Sequence, residues 1–284
     1  LADLEADGLA DDTIVVFYGD HGCGLTRARR WVYDSGLQVP LLIRWPGRIE
    51  PGSTRDDLVS FLDLAPTTLS LAGVDVPAHM QGRVFLGEGT EAEPEHLFFT
   101  RDRMDETYDR IRAVRDRRYK YIRNFSPELP HAQPNAYMDE MPIMREWRRL
   151  AVEGKLNLPQ RRFLAEAKPV EELYDTEIDP HEVRDLSADA TQVDRLTRMR
   201  DALDTWIEET GDLGEIPEDE LVMRFRPDGT YQTAATPSAY PQGGIFHVPP
   251  CVTLSCPTEG ASIVYTTDQG DDPRWKLYTG PFRI

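Results

Sequence analysis

Asp20-His21-Gly22 sets a carboxylate and an imidazole side by side. A carboxylate there can ligate a hard cation, and an imidazole can ligate a metal or donate to an anion. Gly22 lets the backbone turn without a steric penalty. By itself the tripeptide is more often an ordinary turn than a metal site. A basic cluster follows within a few residues: Arg27, Arg29 and Arg30. Guanidinium groups fit the oxygens of sulfate or phosphate in a two-pronged manner. For Arg27 and Arg30 the expected state is a solvated loop. Trp31, Val32 and Tyr33 are expected to pack rather than react. Cys23 has no readable activating group beside it and reads as a structural or incidental thiol.

The elements that must hold these residues are legible around them. Thr13-Ile14-Val15-Val16-Phe17-Tyr18 is a continuous apolar, β-branched run, which predicts a buried parallel strand. Asp20-His21 would then sit at its carboxyl end, where sites gather in open α/β sheets. Val39 to Trp45 predicts a second strand, stopped by Pro46-Gly47. Asp63, Pro66 and Gly73 punctuate a short helix over Ala65–Ala72. Strand, helix and strand in alternation argue for an α/β sheet.

After about residue 95 the texture changes. Ile111–Arg115 and Tyr119–Arg123 flank Asp116-Arg117-Arg118, which predicts an antiparallel hairpin. Glu172-Leu173-Tyr174-Asp175 reads as a further strand. Val193, Leu196, Met199, Leu203 and Trp206 step by three and four, so they form one packed helix face. Residues 222–247 read as a linker, with a turn at Pro227-Asp228-Gly229. Beyond it, Cys251 to Cys256 and Ala261 to Thr267 alternate as sandwich strands do. No internal repeat is visible.

The chain has 284 residues, 40% of them apolar, which is enough for a sizeable core. No stretch approaches the roughly 18 uninterrupted apolar residues of a membrane helix. Lys plus Arg is 32 and Asp plus Glu is 50, a net charge of −18. That balance argues against general nucleic-acid binding and favours solubility, while leaving room for a local basic cleft. Cys23, Cys251 and Cys256 lack metal-site spacing and do not make a disulfide framework. Leu1-Ala2-Asp3-Leu4-Glu5 reads as the middle of a helix, so the chain is expected to start inside a domain.

Taken in order, these segments resemble the sulfatase family. The resemblance runs from Asp12 through Asp20-His21-Gly22 and Arg29-Arg30-Trp31-Val32-Tyr33-Asp34-Ser35-Gly36 to Val39–Gly47. It continues through Asp63–Thr67, Gln81-Gly82-Arg83, Arg112–Arg115, Tyr119–Asn124, Glu172–Asp175, Asp179–Glu182 and Asp185-Leu186. It is most similar to bacterial sulfatases of the heparan N-sulfatase kind and covers about residues 1 to 220. The tail resembles the small β-sandwich found at the C-terminus of chitobiase-type enzymes.

The resemblance implies an α/β fold: the C-terminal part of a sulfatase α/β sandwich, a smaller antiparallel-sheet subdomain and a truncated β-sandwich tail. The implied divisions are 1–95, 96–221, a linker at 222–247, and 248–284. It implies hydrolysis of sulfate esters or N-sulfates on a sulfated carbohydrate, with calcium and a formylglycine nucleophile. Asp20 matches the family's calcium carboxylate, and His21 stands at a position often filled by Asn. Arg29, four residues before Tyr33, stands where the family has a sulfate-contacting lysine. No Cys or Ser in the chain begins Cys/Ser-x-Pro-x-Arg, so no catalytic nucleophile is assigned and the chain alone is expected to be inactive. A periplasmic or secreted location is implied. The alternatives are a zinc- or manganese-dependent phosphoesterase or phosphomutase of the same superfamily, and a non-catalytic carbohydrate-binding piece.

Overall fold

A computed structural model describes residues 1–226, 233–270 and 273–284. The expected turn at Pro227-Asp228-Gly229 lies outside the described residues. Packing divides the chain into two units, Leu1–Gly214 and Glu215–Ile284.

The first unit opens with a short helix, α1 (Ala2–Ala6), and strand β1 (Val15–Tyr18). A long excursion containing one helical turn, α2 (Asp34–Leu37), leads to β2 (Leu41–Arg44). The expectation of a parallel strand is corrected here: β1 and β2 pair antiparallel, Val15 opposite Arg44 and Tyr18 opposite Leu41. An apolar run reports what a strand can bury, whereas direction is set by the connection, and this one doubles back. Phe17 is 63% exposed, so the run is not a buried strand within this unit.

Helix α3 (Leu64–Leu71) follows, with Gly73 in the left-handed region at φ 69°. Asp63 precedes it as expected, but its carboxylate accepts from the backbone N–H groups of Ser60 and Arg83, both at 2.9 Å, rather than capping α3.

The scaffold of the unit is a four-stranded antiparallel sheet in the order β3 (Leu97–Met104), β4 (Thr107–Arg115), β5 (Tyr119–Asn124), β6 (Glu171–Asp175). The β4–β5 hairpin is closed by Asp116, whose carboxylate accepts from the N–H groups of Arg118 and Tyr119. Side chains alternate across the pleat. Ile111, Ala113 and Ile122 face one core with Trp31, Val32 and Tyr33, the short helix α4 (Ala136–Asp139), α5 (Pro142–Val152) and α6 (Leu158–Phe163). Val114, Tyr119, Tyr121 and Leu173 face the other, against α7 (Val193–Thr210). Leu196, Met199 and Leu203 of α7 are buried there, and Trp206 stacks on Phe98 at 5.0 Å. Val193 is exposed and leaves the stripe.

The second unit begins with α8 (Glu218–Phe225). Strands β7 (Ser238–Tyr240), β8 (Cys251–Ser255), β9 (Val264–Tyr265), β10 (Lys276–Leu277) and β11 (Phe282–Arg283) form two small antiparallel sheets, β11-β8-β7 and β10-β9. The Tyr265 and Phe282 rings stack at 3.9 Å. The chain is thus mixed α/β with several antiparallel sheets. Among the described residues no helix is long and apolar enough to cross a membrane.

Candidate functional site

The excursion between β1 and β2 carries all three sequence-derived site residues. Backbone contacts close it at both ends: Gly19 N–H donates to Pro40 O at 3.1 Å and Gly22 N–H to Gly36 O at 3.0 Å. A Cβ on Gly22 would lie 2.3 Å from the Ser35 carbonyl oxygen, and one on Gly36 would lie 2.2 Å from that of Ala28. Gly22 is therefore required by the close approach of two backbones rather than by a left-handed turn.

Docking of the loop onto the four-stranded sheet follows from its sequence. Trp31, Val32 and Tyr33 are buried, as expected. The Tyr33 hydroxyl donates to Glu172 Oε2 at 2.8 Å; burial, reinforced by the Glu172 charge, holds its pKa well above the ordinary tyrosine value. Asp34 pairs with Arg115 at 2.7 Å and with Lys120, while its backbone N–H donates to Glu182 Oε2 at 2.6 Å. Lys120 is fully buried and lies 3.0 Å from both Glu182 Oε1 and Val32 O. A buried ammonium persists only with such partners.

The expectation that Arg27 and Arg30 are solvated is corrected. The Arg27 guanidinium lies over the Tyr33 ring at 3.7 Å and donates to the carbonyls of His181 and Glu182. The Arg30 side chain is 8% exposed, 3.4 Å from Asp105 and 4.4 Å from the centroid of the Tyr137 ring. Both adopt positive φ, 60° for Arg27 and 95° for Arg30. Such backbone is strained for an L-residue and persists where surrounding contacts over-determine it. Charge pattern alone does not reveal this, because the partners lie far along the chain.

Arg29 differs from both. It is exposed, and its side chain makes no hydrogen bond, ion pair or ring contact among the described residues, although its backbone N–H donates to Cys23 O at 3.1 Å. It lines a small depression with Leu25, Thr26, Arg30, Tyr137 and Met141. Asp20 is 84% exposed and lies 3.5 Å from His21 Nε2. His21 Nδ1 is 2.7 Å from Gly22 O; because a carbonyl only accepts, Nδ1 carries the proton. The structure thus brings Asp20 and His21 together and puts Arg29 on the same loop without contact to either.

Asp20 offers a hard, solvent-facing oxygen that fits calcium. His21 offers nitrogen, a less usual donor to a cation that prefers oxygen ligands. Among the described residues no group of three or more His, Cys, Asp or Glu side chains could hold a metal. The sequence reading missed Lys120, Glu182, Asp105 and Tyr137 as supports of the loop. One signal existed: a lysine flanked by Tyr119 and Tyr121 that shares a strand face with the apolar Ile122.

Arg27 also lines a cavity of about 440 Å³, together with Tyr33, His131, Trp147, Phe163 and Glu172, among others. Burial, with the nearby Lys168 charge, depresses the His131 pKa to about 3.

A family model described as N-sulphoglucosamine sulphohydrolase, C-terminal, matches residues 19–130, which contain the whole loop and the β3–β5 strands. An ulvan-active sulfatase of Formosa agariphila is 40% identical over 288 residues, spanning 100% of this chain and 47% of that protein. The chain belongs to the sulfatase family. Human N-sulphoglucosamine sulphohydrolase is 26% identical over 257 residues, or 85% of this chain and 49% of the human protein. Among solved structures, a 2-O GAG sulfatase superposes with a TM-score of 0.54 at 25% identity, covering 74% of this chain and 39% of that one. The chain spans about half the length of the curated relatives it matches.

Proposed function

We propose that the intact protein bearing this chain hydrolyses sulfate groups on a sulfated saccharide, by ester or N-sulfate cleavage. One observation carries this reading: of three neighbouring arginines, two are bound down and Arg29 alone has no side-chain partner among the described residues. Its planar guanidinium donates to two oxygens of a sulfate at once and balances the charge that develops on them during transfer. The relatives supply the substrate class, since two of them are named for ulvan and for N-sulphoglucosamine.

Asp20 would supply one oxygen to calcium, which when bound stabilises charge on sulfate oxygens. The remaining ligands and the formylglycine nucleophile must come from elsewhere in the intact protein, because the 284 residues hold no Cys/Ser-x-Pro-x-Arg motif. His21, through the Nδ1–H bond to Gly22 O, is held with Nε2 turned to Asp20. We also propose a periplasmic or secreted location, in keeping with a polymeric saccharide substrate; cell fractionation checks it.

The test is to assay the intact protein and this chain in parallel with 4-nitrocatechol sulfate and with ulvan, with calcium and after chelation. The intact protein should release sulfate and lose activity on chelation, and the chain alone should be inactive. Turnover by the chain alone would show that the chemistry has been misassigned. An intact protein that needs zinc and cleaves a phosphate ester instead would favour a phosphoesterase.

A further inference from the structure

The depression beside Arg29 contains an aromatic ring that the fold uses against Arg30 alone and the proposed sulfate contact does not use at all. Tyr137 lies at the start of α4 and is 57% exposed. A single exposed tyrosine needs no explanation in general. This one is distinguished by where it is and how firmly it is held. It lines the same depression as Arg29, with Leu25 and Met141 completing an apolar rim.

Its orientation is fixed from beneath and from behind. The Arg30 guanidinium lies 4.4 Å from the ring centroid, and Arg30 is itself held by Asp105 at 3.4 Å. Asn135 caps α4 by accepting from Met138 N–H at 3.0 Å. The Ala136 N–H donates to Glu106 Oε1 at 2.6 Å, so the turn between β3 and β4 holds the residue next to Tyr137. The aromatic residues of the loop itself, Trp31 and Tyr33, are buried in the core. The result is a pre-oriented ring beside a guanidinium that is unpaired among the described residues.

That pairing fits one ligand chemistry. A pyranose has an apolar face of C–H bonds carrying slight positive charge, which meets the electron-rich face of an aromatic ring. A sulfate on the same sugar, or on its neighbour, would then reach Arg29. We propose that Tyr137 is a saccharide platform of the sulfatase site, stacking the sugar whose sulfate Arg29 receives, and so selects sulfated sugars over simple aryl sulfates. This rests on the reading of Arg29 as the sulfate contact, and it goes beyond that reading by placing the sugar.

The experiment uses the intact protein with three substrates: 4-nitrocatechol sulfate, ulvan oligosaccharides and D-glucosamine 2-N,6-O-disulfate. Tyr137→Ala should raise KM for the saccharide that is turned over by about tenfold and change kcat much less, as expected when binding common to ground and transition states is removed. Tyr137→Phe should restore KM, because the ring and not the hydroxyl is used. The penalty on the aryl sulfate should be several times smaller than on the saccharide. Arg29→Ala should depress turnover of both kinds of substrate.

A Tyr137→Ala variant that is unchanged, or that loses both substrates equally, overturns the platform while leaving Arg29 intact. A wild-type protein that hydrolyses the aryl sulfate but neither saccharide overturns it too. If Arg29→Ala leaves every activity unchanged, the failure lies in the reading of the site itself.

Discussion

The guanidinium of Arg27 lies 3.7 Å from the centroid of the Tyr33 ring and donates at the same time to the carbonyls of His181 and Glu182. One side chain thus clasps the loop that carries Asp20 and Arg29 to a segment some 150 residues further along the chain. Removing it leaves two carbonyls without their donor and uncovers a buried ring. Arg27→Ala should therefore destabilise the first unit by about 2–4 kcal/mol, given that hydrogen bonds from charged groups contribute about 1.5–3 kcal/mol each and that neighbouring contacts are not additive. Urea unfolding checks this. Arg27→Lys should recover only part, since a point charge does not reproduce the two-pronged contact. A change within about 0.5 kcal/mol, the range for ordinary surface sites, would show that the clasp does not form.

The two glycines that close the loop give a sharper steric test. An added methyl at Gly22 or Gly36 meets backbone oxygen at 2.3 or 2.2 Å, and backbone cannot swing aside as a side chain can. Gly22→Ala and Gly36→Ala should each cost about 1–3 kcal/mol, the usual range for overpacking. Gly24 lies in the same loop with nothing within 4 Å of its would-be Cβ. Gly24→Ala should be neutral or slightly stabilising, through reduced freedom of the unfolded chain. Equal melting temperatures for all three variants would rule out the close approach.

Acid should weaken the fold through His131. Its pKa is depressed to about 3, first by burial and then by the Lys168 charge, against the ordinary value of 6.5. Between those two values the unfolded chain holds a proton that the folded chain refuses. Stability therefore rises with pH across that window and is lost as pH falls through it. Each pH unit is worth about 1.4 kcal/mol for one proton, so the full effect is on the order of a few kcal/mol. Urea midpoints between pH 4 and 7 should flatten in His131→Phe relative to the parent. An unchanged slope would mean that His131 titrates alike in both states.

The helix stripe on α7, the β4–β5 hairpin and the Trp31–Tyr33 plug were legible in the sequence because each is a local pattern with a single physical cause. Strand direction at β1 was not, because an apolar run says nothing of what its neighbour does. The roles of Arg27 and Arg30 were hidden for a different reason. Both arginines look alike in a basic run, and what separates them from Arg29 is the set of partners that tertiary folding brings: His181 and Glu182 for one, Asp105 and Tyr137 for the other. Asp20-His21-Gly22 was legible as a site only through its place in an ordered series of motifs.

Arg29 should separate activity from stability. It is exposed and unpaired among the described residues, so Arg29→Ala should change unfolding free energy by less than about 0.5 kcal/mol. In the intact protein the same substitution removes a donor aimed at oxygens that gain charge in the transition state. Such a loss costs about 100- to 1000-fold in rate. Arg29→Lys should retain much of the activity, since an ammonium keeps the charge and at least one hydrogen bond. Arg27→Ala should show the opposite pattern: a clear loss of stability, with activity that recovers when the assay is run well below the melting temperature. The discriminating measurement is kcat/KM on 4-nitrocatechol sulfate set beside the urea midpoint for each variant. If Arg29→Ala loses stability and activity together, Arg29 is a structural residue like its neighbours. If it loses neither, the sulfate contact belongs to another residue.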